Sequence, residues 1–385
     1  MQDSASEHTF LTDSFELPPQ QTRLQEFWTQ LRKNRLALMG LVIFLVFFVI
    51  ALTGRLLTFG TSPLVDPSMV RLQEKLQPPL SRPNMESLLP EEMPPMGVYL
   101  LGTDELGRDV FARMLQGAWV SLSVGFVAVG IAVFIGILLG GLAGYYGQNP
   151  IRVGEVLIAV LVLWMALGWG KLSTLILVVL ALAAIAIAAV LVVQRHSDSR
   201  GLLHVFSAQF LSVDMVITGM IDIMLCFPSF FLILTVVALL PASIYNIMIV
   251  IGITSWMGAA RFVRAEFLSL REQDFVAAAR ALGVADWRII FRHMVPNAIA
   301  PVLVSATIGI AGAILTEAGR SFLGFGVPPP DATWGNILSD GKNYLFDAPW
   351  LTFVPGIAIL VVVLSFNLFG EGLRDILNPK LRERH

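Results

Sequence analysis

An acid and a base, Glu317 and Arg320, interrupt an apolar run that extends over residues 298–325. Three residues apart on a helix, they share one face. A lone charge at membrane depth is expensive, and a pair of opposite charges costs less. The expectation is that Glu317 and Arg320 face a helix bundle or a path through it rather than lipid. The competing reading has Arg320 snorkelling to the outer interface.

Other reactive chemistry is sparse. The histidines at 8, 196, 204, 293 and 385 are scattered and lack metal-ligand spacing, so no metal site is expected. The single cysteine, Cys226, lies in an apolar run and reads as a buried, inert thiol. "GWGKLST" (168–174) contains Gly-Lys but lacks the glycine and Ser/Thr spacing of a phosphate-binding loop. No clustered His, Asp or Cys constellation suits a membrane-bound enzyme. No catalytic residue is expected, and this chain holds no cofactor of its own. A net charge of −2 gives no nucleic-acid signal.

A second constellation is polar. "FVAAARALGVADWRIIFRHMVPNAIAP" (275–301) lies between two membrane-length runs. Phe275 to Ala281, with three consecutive alanines, is strong helix former. Gly283 is placed to end that helix in a left-handed turn. Asp286 is placed to cap a second short helix whose apolar side is Trp287, Ile289, Ile290 and Phe291. Pro296 marks re-entry into the membrane. The alanines at 278 and 279 would let a partner surface approach closely, and Arg280, Arg288 and Arg292 could anchor to acids or carbonyls there. His293 reads as a hydrogen-bonded structural residue rather than a proton relay. On these residues alone, a solvated loop and a partner-docking elbow are both open.

The elements that must position these groups are membrane spans. The chain is 56% hydrophobic and 14% charged over 385 residues, against about 25% charged in soluble domains. This is an all-α polytopic membrane protein. The polar segment 1–35 is expected to lack a cleavable signal, and 23–33 can form an amphipathic surface helix. The first transmembrane helix is expected at 36–58. Residues 59–115 form a loop whose eight prolines between 63 and 95 argue against regular helix, and whose net charge of −3 suits the outside. A second core helix at 116–148 carries Gly136, Gly140, Gly141 and Gly144, which permit close helix approach. An apolar hairpin follows at 149–212, either spanning twice or re-entrant. The rest of the core, 213–373, holds the polar loop 263–296, and a basic tail occupies 374–385. Six arginines against four acids in 261–292 put that loop inside, together with both termini. Eight spans fit these signs, as do six plus a re-entrant hairpin.

The stretch from 275 resembles the "EAA" loop of ABC-importer permease subunits, in their dipeptide/oligopeptide/nickel branch. That pattern reads roughly Y-V-x-A-A-R-x-x-G-x-x-x-x-x-I-x-x-x-H-x-x-P-N. This chain supplies Phe275, Val276, Ala278, Ala279, Arg280, Gly283, Ile289, His293, Pro296 and Asn297, with phenylalanine in place of tyrosine. "GTDELGRDVFARMLQGAWVSLSVG" (102–125), "IDIMLCFPSF" (221–230, with Pro228 as a kink) and "SFLGFGVPPPDATWGNILSDG" (321–341) are similar to further blocks of the same branch. Read alone, 102–113 is a turn with Asp and Arg pairs, scaffold rather than substrate contact.

The resemblance implies a type I ABC-importer transmembrane fold of six core helices, here with the extra hairpin. It implies that Phe275, Ala278, Ala279, Arg280, Gly283, Arg288, His293 and Pro296 couple to an ATPase. It implies a second homologous permease, two ABC ATPase subunits that bind ATP and Mg, an extracytoplasmic solute-binding protein, and a bacterial or archaeal plasma or inner membrane. The family commonly has an acid at position 317, so Glu317 and Arg320 become a bundle pair or part of the translocation path. Segment 149–212 has no counterpart in the usual six-span permease; lipid-facing packing and contact with an accessory subunit both remain open. Peptides are the expected solute, with nickel chelates and other solutes as alternatives. A self-sufficient secondary transporter would need more intramembrane ionisable groups and an internal repeat.

Overall fold

The computed structural model describes residues 23–377 apart from 61–62, 87, 148, 152–210, 240 and 242. The helices are α1 (Arg23–Lys33), α2 (Arg35–Thr58), α3 (Val110–Tyr146), α4 (Val213–Cys226), α5 (Ser229–Leu239), α6 (Ile244–Arg271), α7 (Asp274–Ala281), α8 (Asp286–Phe322), α9 (Trp334–Gly341) and α10 (Trp350–Leu377). Among the described residues, five of these are long and apolar enough to cross a membrane: α2, α3, α6, α8 and α10. The pair α4–α5 makes up to a sixth, bent by 81° at Phe227–Pro228. The bend falls where proline removes a helix hydrogen-bond donor. The expected apolar hairpin lies outside the described residues. Its base is not: Pro150–Ile151 and Leu211–Ser212 pair antiparallel, so the insertion leaves and returns at one point.

Close helix approach explains the glycines of α3. A Cβ on Gly136 would stand 2.6 Å from the Ala259 Cβ, and one on Gly140 would overlap the Ala260 carbonyl. On Gly144 it would stand 2.5 Å from the Phe267 Cβ. These residues recur every four positions, so one smooth stripe of α3 seats α6. Ile310 and Ile314 of α8, Val362 and Phe366 of α10, and Leu122 of α3 share a buried cluster with Trp334. Phe44 and Phe47 of α2 pack against it, Phe47 edge-on to Trp334 at 5.8 Å. Elsewhere α2 turns apolar side chains outward, among them Val42, Val46 and Val49. α1 forms over the predicted stretch and docks through fully buried Leu31 beside Ala37 and Ile376.

Two local expectations are corrected. Cys226 is exposed rather than buried, because it sits at the end of α4 beside the bend. Asp286 caps no backbone donor; it stands in the first helical turn and accepts the Tyr145 hydroxyl at 2.6 Å. Pro296 lies inside a continuous helix. α8 is continuous from Asp286, with a π turn at Ile289–Met294 that takes up one extra residue just before the proline.

Candidate functional site

Two polar constellations lie at opposite ends of the bundle. The first is the elbow between α7 and α8. Gly283 has φ +72°, and a Cβ there would meet nothing within 4 Å. The glycine is required by backbone conformation, not by space. Val284 donates its N–H to the Ala279 carbonyl at 3.1 Å, and Gly283 donates to Arg280 at 2.9 Å. Those two bonds form a Schellman cap, which fixes the angle at which the chain leaves α7.

The elbow has a dry side and a wet side. Val276, Ile289 and Met294 are fully buried, Ala279 and Ile290 nearly so, against Val263, Phe267 and Tyr145. Ala279 therefore packs into the chain's own core and is not available to a partner, whereas Ala278 is exposed. The helix period separates them by about 100°. Outside, Leu282 is 83% exposed, Trp287 61%, Phe291 52% and Phe275 38%. Arg280, Arg288 and Arg292 are exposed beside them, and Arg288 lies 5.1 Å over the Trp287 ring. His293 is half-buried, and its carbonyl accepts the Asn297 side-chain amide at 2.6 Å; Pro296 is exposed. Tyr145, which sequence reasoning did not single out, is the elbow's anchor. Its hydroxyl holds Asp286, and the Arg280 guanidinium stands 4.9 Å over its ring. The adjacent tyrosines that end a glycine-striped helix were the available signal.

The second constellation joins the loop before α3 to the region after α8. Asp104, fully buried, accepts backbone N–H groups from Leu106 and Arg108, each at 2.9 Å. Its other oxygen takes Arg108 Nε at 2.7 Å and Arg113 Nη1 at 2.6 Å. Both arginines also reach Asp340 of α9, at 3.2 and 2.8 Å. Asp109 caps α3 through the Phe111 N–H, and burial pushes its carboxyl above the usual range. The 102–113 motif is thus a scaffold that ties two distant segments together.

Glu317 and Arg320 are both buried. No ion pair joins them among the described residues. Glu317 instead accepts Ser321 Oγ at 2.5 Å and Ser121 Oγ at 3.4 Å, and Ser121 in turn accepts the Trp334 N–H. Arg320 keeps its Nε and Nη1 buried without a hydrogen-bond partner among the described residues. The two charges share an interior position, but hydroxyls, not the guanidinium, satisfy the acid. Among the described residues there is no cluster of three or more potential metal ligands.

Residues 203–383 match the family model of the binding-protein-dependent transport system inner membrane component, and residues 22–79 that of the N-terminal TM domain of oligopeptide transport permease C. The chain is 35% identical over 358 residues to the dipeptide transport system permease protein DppC of Alkalihalophilus pseudofirmus, covering 93% of this chain and 90% of the relative. It is 30% identical to the Haemophilus influenzae protein of the same name, over 94% of this chain and 96% of that one. Identity to the oligopeptide transport system permease protein OppC of Bacillus subtilis is 29%, over 91% of this chain and 88% of the relative.

Proposed function

The chain belongs to the family of binding-protein-dependent inner-membrane permeases, in its dipeptide and oligopeptide branch, and on that premise we propose that it forms half of the translocation path of a peptide importer driven by partner ATPases. It is a multi-pass membrane protein with the type I ABC-importer transmembrane fold. The α7–α8 elbow is the proposed coupling element. One observation carries this reading: Phe275, Leu282, Trp287 and Phe291 are exposed on an elbow whose opposite side is rigidly buried. Exposed aromatics on a fixed base are what a partner's groove selects, and arginines at the rim suit acidic or carbonyl groups. Ala278 belongs to that face, while Ala279, Tyr145 and Asp286 hold it from behind.

The partners in this reading are a second homologous permease, two ABC ATPase subunits that bind ATP and Mg, and an extracytoplasmic solute-binding protein. The elbow and both termini lie in the cytoplasm, by the excess of arginine; residues 59–109 and α9 face outward. The chain itself is not catalytic. Glu317, with Arg320 beside it, belongs to the bundle wall near the outer end of the path. The test is site-specific cross-linking. With Cys226 replaced by serine, Leu282→Cys should form a cross-link to an ATPase chain in native membranes, and a cysteine at buried Ile289 should not. Equal yields from both positions, or none from 282, would remove the coupling role.

A further inference from the structure

A cavity of about 610 Å³ opens at the end of the bundle opposite the elbow, between the 105–113 segment, α5 and the 321–340 segment. Its size is that of small-ligand sites, roughly 300–1,000 Å³. Its walls are apolar, including Leu234 and Val237 of α5 and Phe325 and Val327. Its polar lining is unbalanced. Glu105, Asp331 and Asp340 stand against Arg108 and Arg113, a net charge of −1.

The two arginines are already engaged. Each contacts both Asp104 and Asp340, so neither is left over to neutralise another acid. Glu105 acts on Tyr344, whose hydroxyl it pushes toward a higher pKa. Asp331 differs. Its carboxylate has one described contact, the Gln116 side-chain amide at 3.4 Å, and no cation. Burial raises its pKa, as expected of a carboxylate removed from water without a counter-charge. Its backbone is held in place, since the Asp331 carbonyl accepts Asn336 Nδ2 at 2.9 Å and the neighbouring Ala332 N–H donates to Gln116 Oε1 at 2.9 Å. A rigidly held acid, short of one positive partner and set in an apolar pocket, is built to receive a cation carried by a partly apolar molecule.

Resting on the peptide-importer reading above, we propose that this cavity binds the free amino terminus of a peptide. The Asp331 carboxylate takes the ammonium group, and the wall of Phe325, Val327 and Val237 receives the first side chain. The Arg108–Asp104–Arg113–Asp340 cluster keeps the pocket open by holding α9 against the loop before α3. A cationic side chain of the solute-binding protein is the rival occupant. The pocket's volume, within the range of small-ligand sites, favours the small molecule.

The experiment uses the whole importer in nanodiscs and the photoreactive dipeptide Ala-(p-benzoyl-Phe). Labelling should map to residues 325–331. Ala-Phe should suppress it and N-acetyl-Ala-Phe should not. Asp331→Asn should lower labelling about tenfold, the scale of one charged hydrogen bond, while Asp331→Glu retains most of it. Co-elution of all subunits of each variant complex in size-exclusion chromatography reports that assembly is intact. Equal competition by the acetylated peptide, or labelling untouched by Asp331→Asn in an intact complex, overturns the proposal. So does labelling confined to the solute-binding protein. Uptake of Ala-Phe by the wild-type importer, measured alongside, separates the two failures. Uptake without cavity labelling defeats this inference alone; no peptide uptake defeats the reading beneath it.

Discussion

Gly283 offers a graded test, because its conformation and its surroundings make separable demands. With φ at +72° and no atom within 4 Å of where a Cβ would stand, only the backbone term opposes substitution. An alanine there costs about 1–2 kcal/mol. If the elbow must hold its Schellman cap to be recognised, that cost appears as roughly 5- to 30-fold weaker partner binding. Asparagine tolerates the left-handed region better and should lose less. Proline locks φ near −65°, removes the N–H that bonds Arg280 at 2.9 Å, and disfavours the φ −80°, ψ 2° of Leu282 before it. It should abolish binding. The assay is titration of the purified ATPase pair onto the nanodisc-held permeases, with the order glycine, asparagine, alanine, proline expected. Alanine binding as tightly as glycine, or proline no worse than alanine, would refute the claim that elbow geometry is what the partner reads.

Trp287→Ala should leave thermal stability nearly unchanged, because the ring is 61% exposed, yet weaken ATPase capture by about 2 kcal/mol or more. Ile289→Ala, fully buried, should instead cost about 2–5 kcal/mol of stability; melting and capture measured on both variants separate the two. Asp104→Asn leaves Arg113, itself nearly buried, with Asp340 alone, and should destabilise the purified protein by about 3–5 kcal/mol, read as lost resistance to denaturation in detergent. Burial pushes the Tyr99 hydroxyl from 10.0 up to about 12. The folded chain thus holds this proton longer than the unfolded one, and the contribution is complete below pH 10 and lost as pH rises through about 12. Phenolate absorbance should show tyrosine ionisation reaching up to about pH 12, and Tyr99→Phe should remove the latest part of that rise.

The legible parts of this fold were those set by short-range or one-face rules. Apolar length placed α2, α3, α6, α8 and α10, and Gly283 announced its own left-handed turn. Proline density predicted the irregular 63–95 stretch, where only the short turns Leu72–Glu74 and Pro90–Glu92 form among the described residues. What stayed hidden depends on contacts between distant residues. Glu317 and Arg320 share a helix neighbourhood, but Ser121, 196 positions away, competes for the acid. Ala278 and Ala279 are identical in type, and only the packing of α7 on Phe267 and Ile289 decides which one faces out. Asp286 has the composition of a cap, yet Tyr145 at the end of α3 claims it. The Asp340 end of the charge cluster lies 227 residues from Arg113, so spacing alone could not join them.

Purification from the native membrane in mild detergent, with identification of every chain that accompanies this one, tests the central claim most directly. The account predicts that two ATPase chains and a second permease come with the wild-type protein, and that Gly283→Pro retains the permease and loses the ATPases. If the chain arrives alone in both cases while solute uptake persists, it is not the membrane half of an ATP-driven importer, and the elbow couples to nothing.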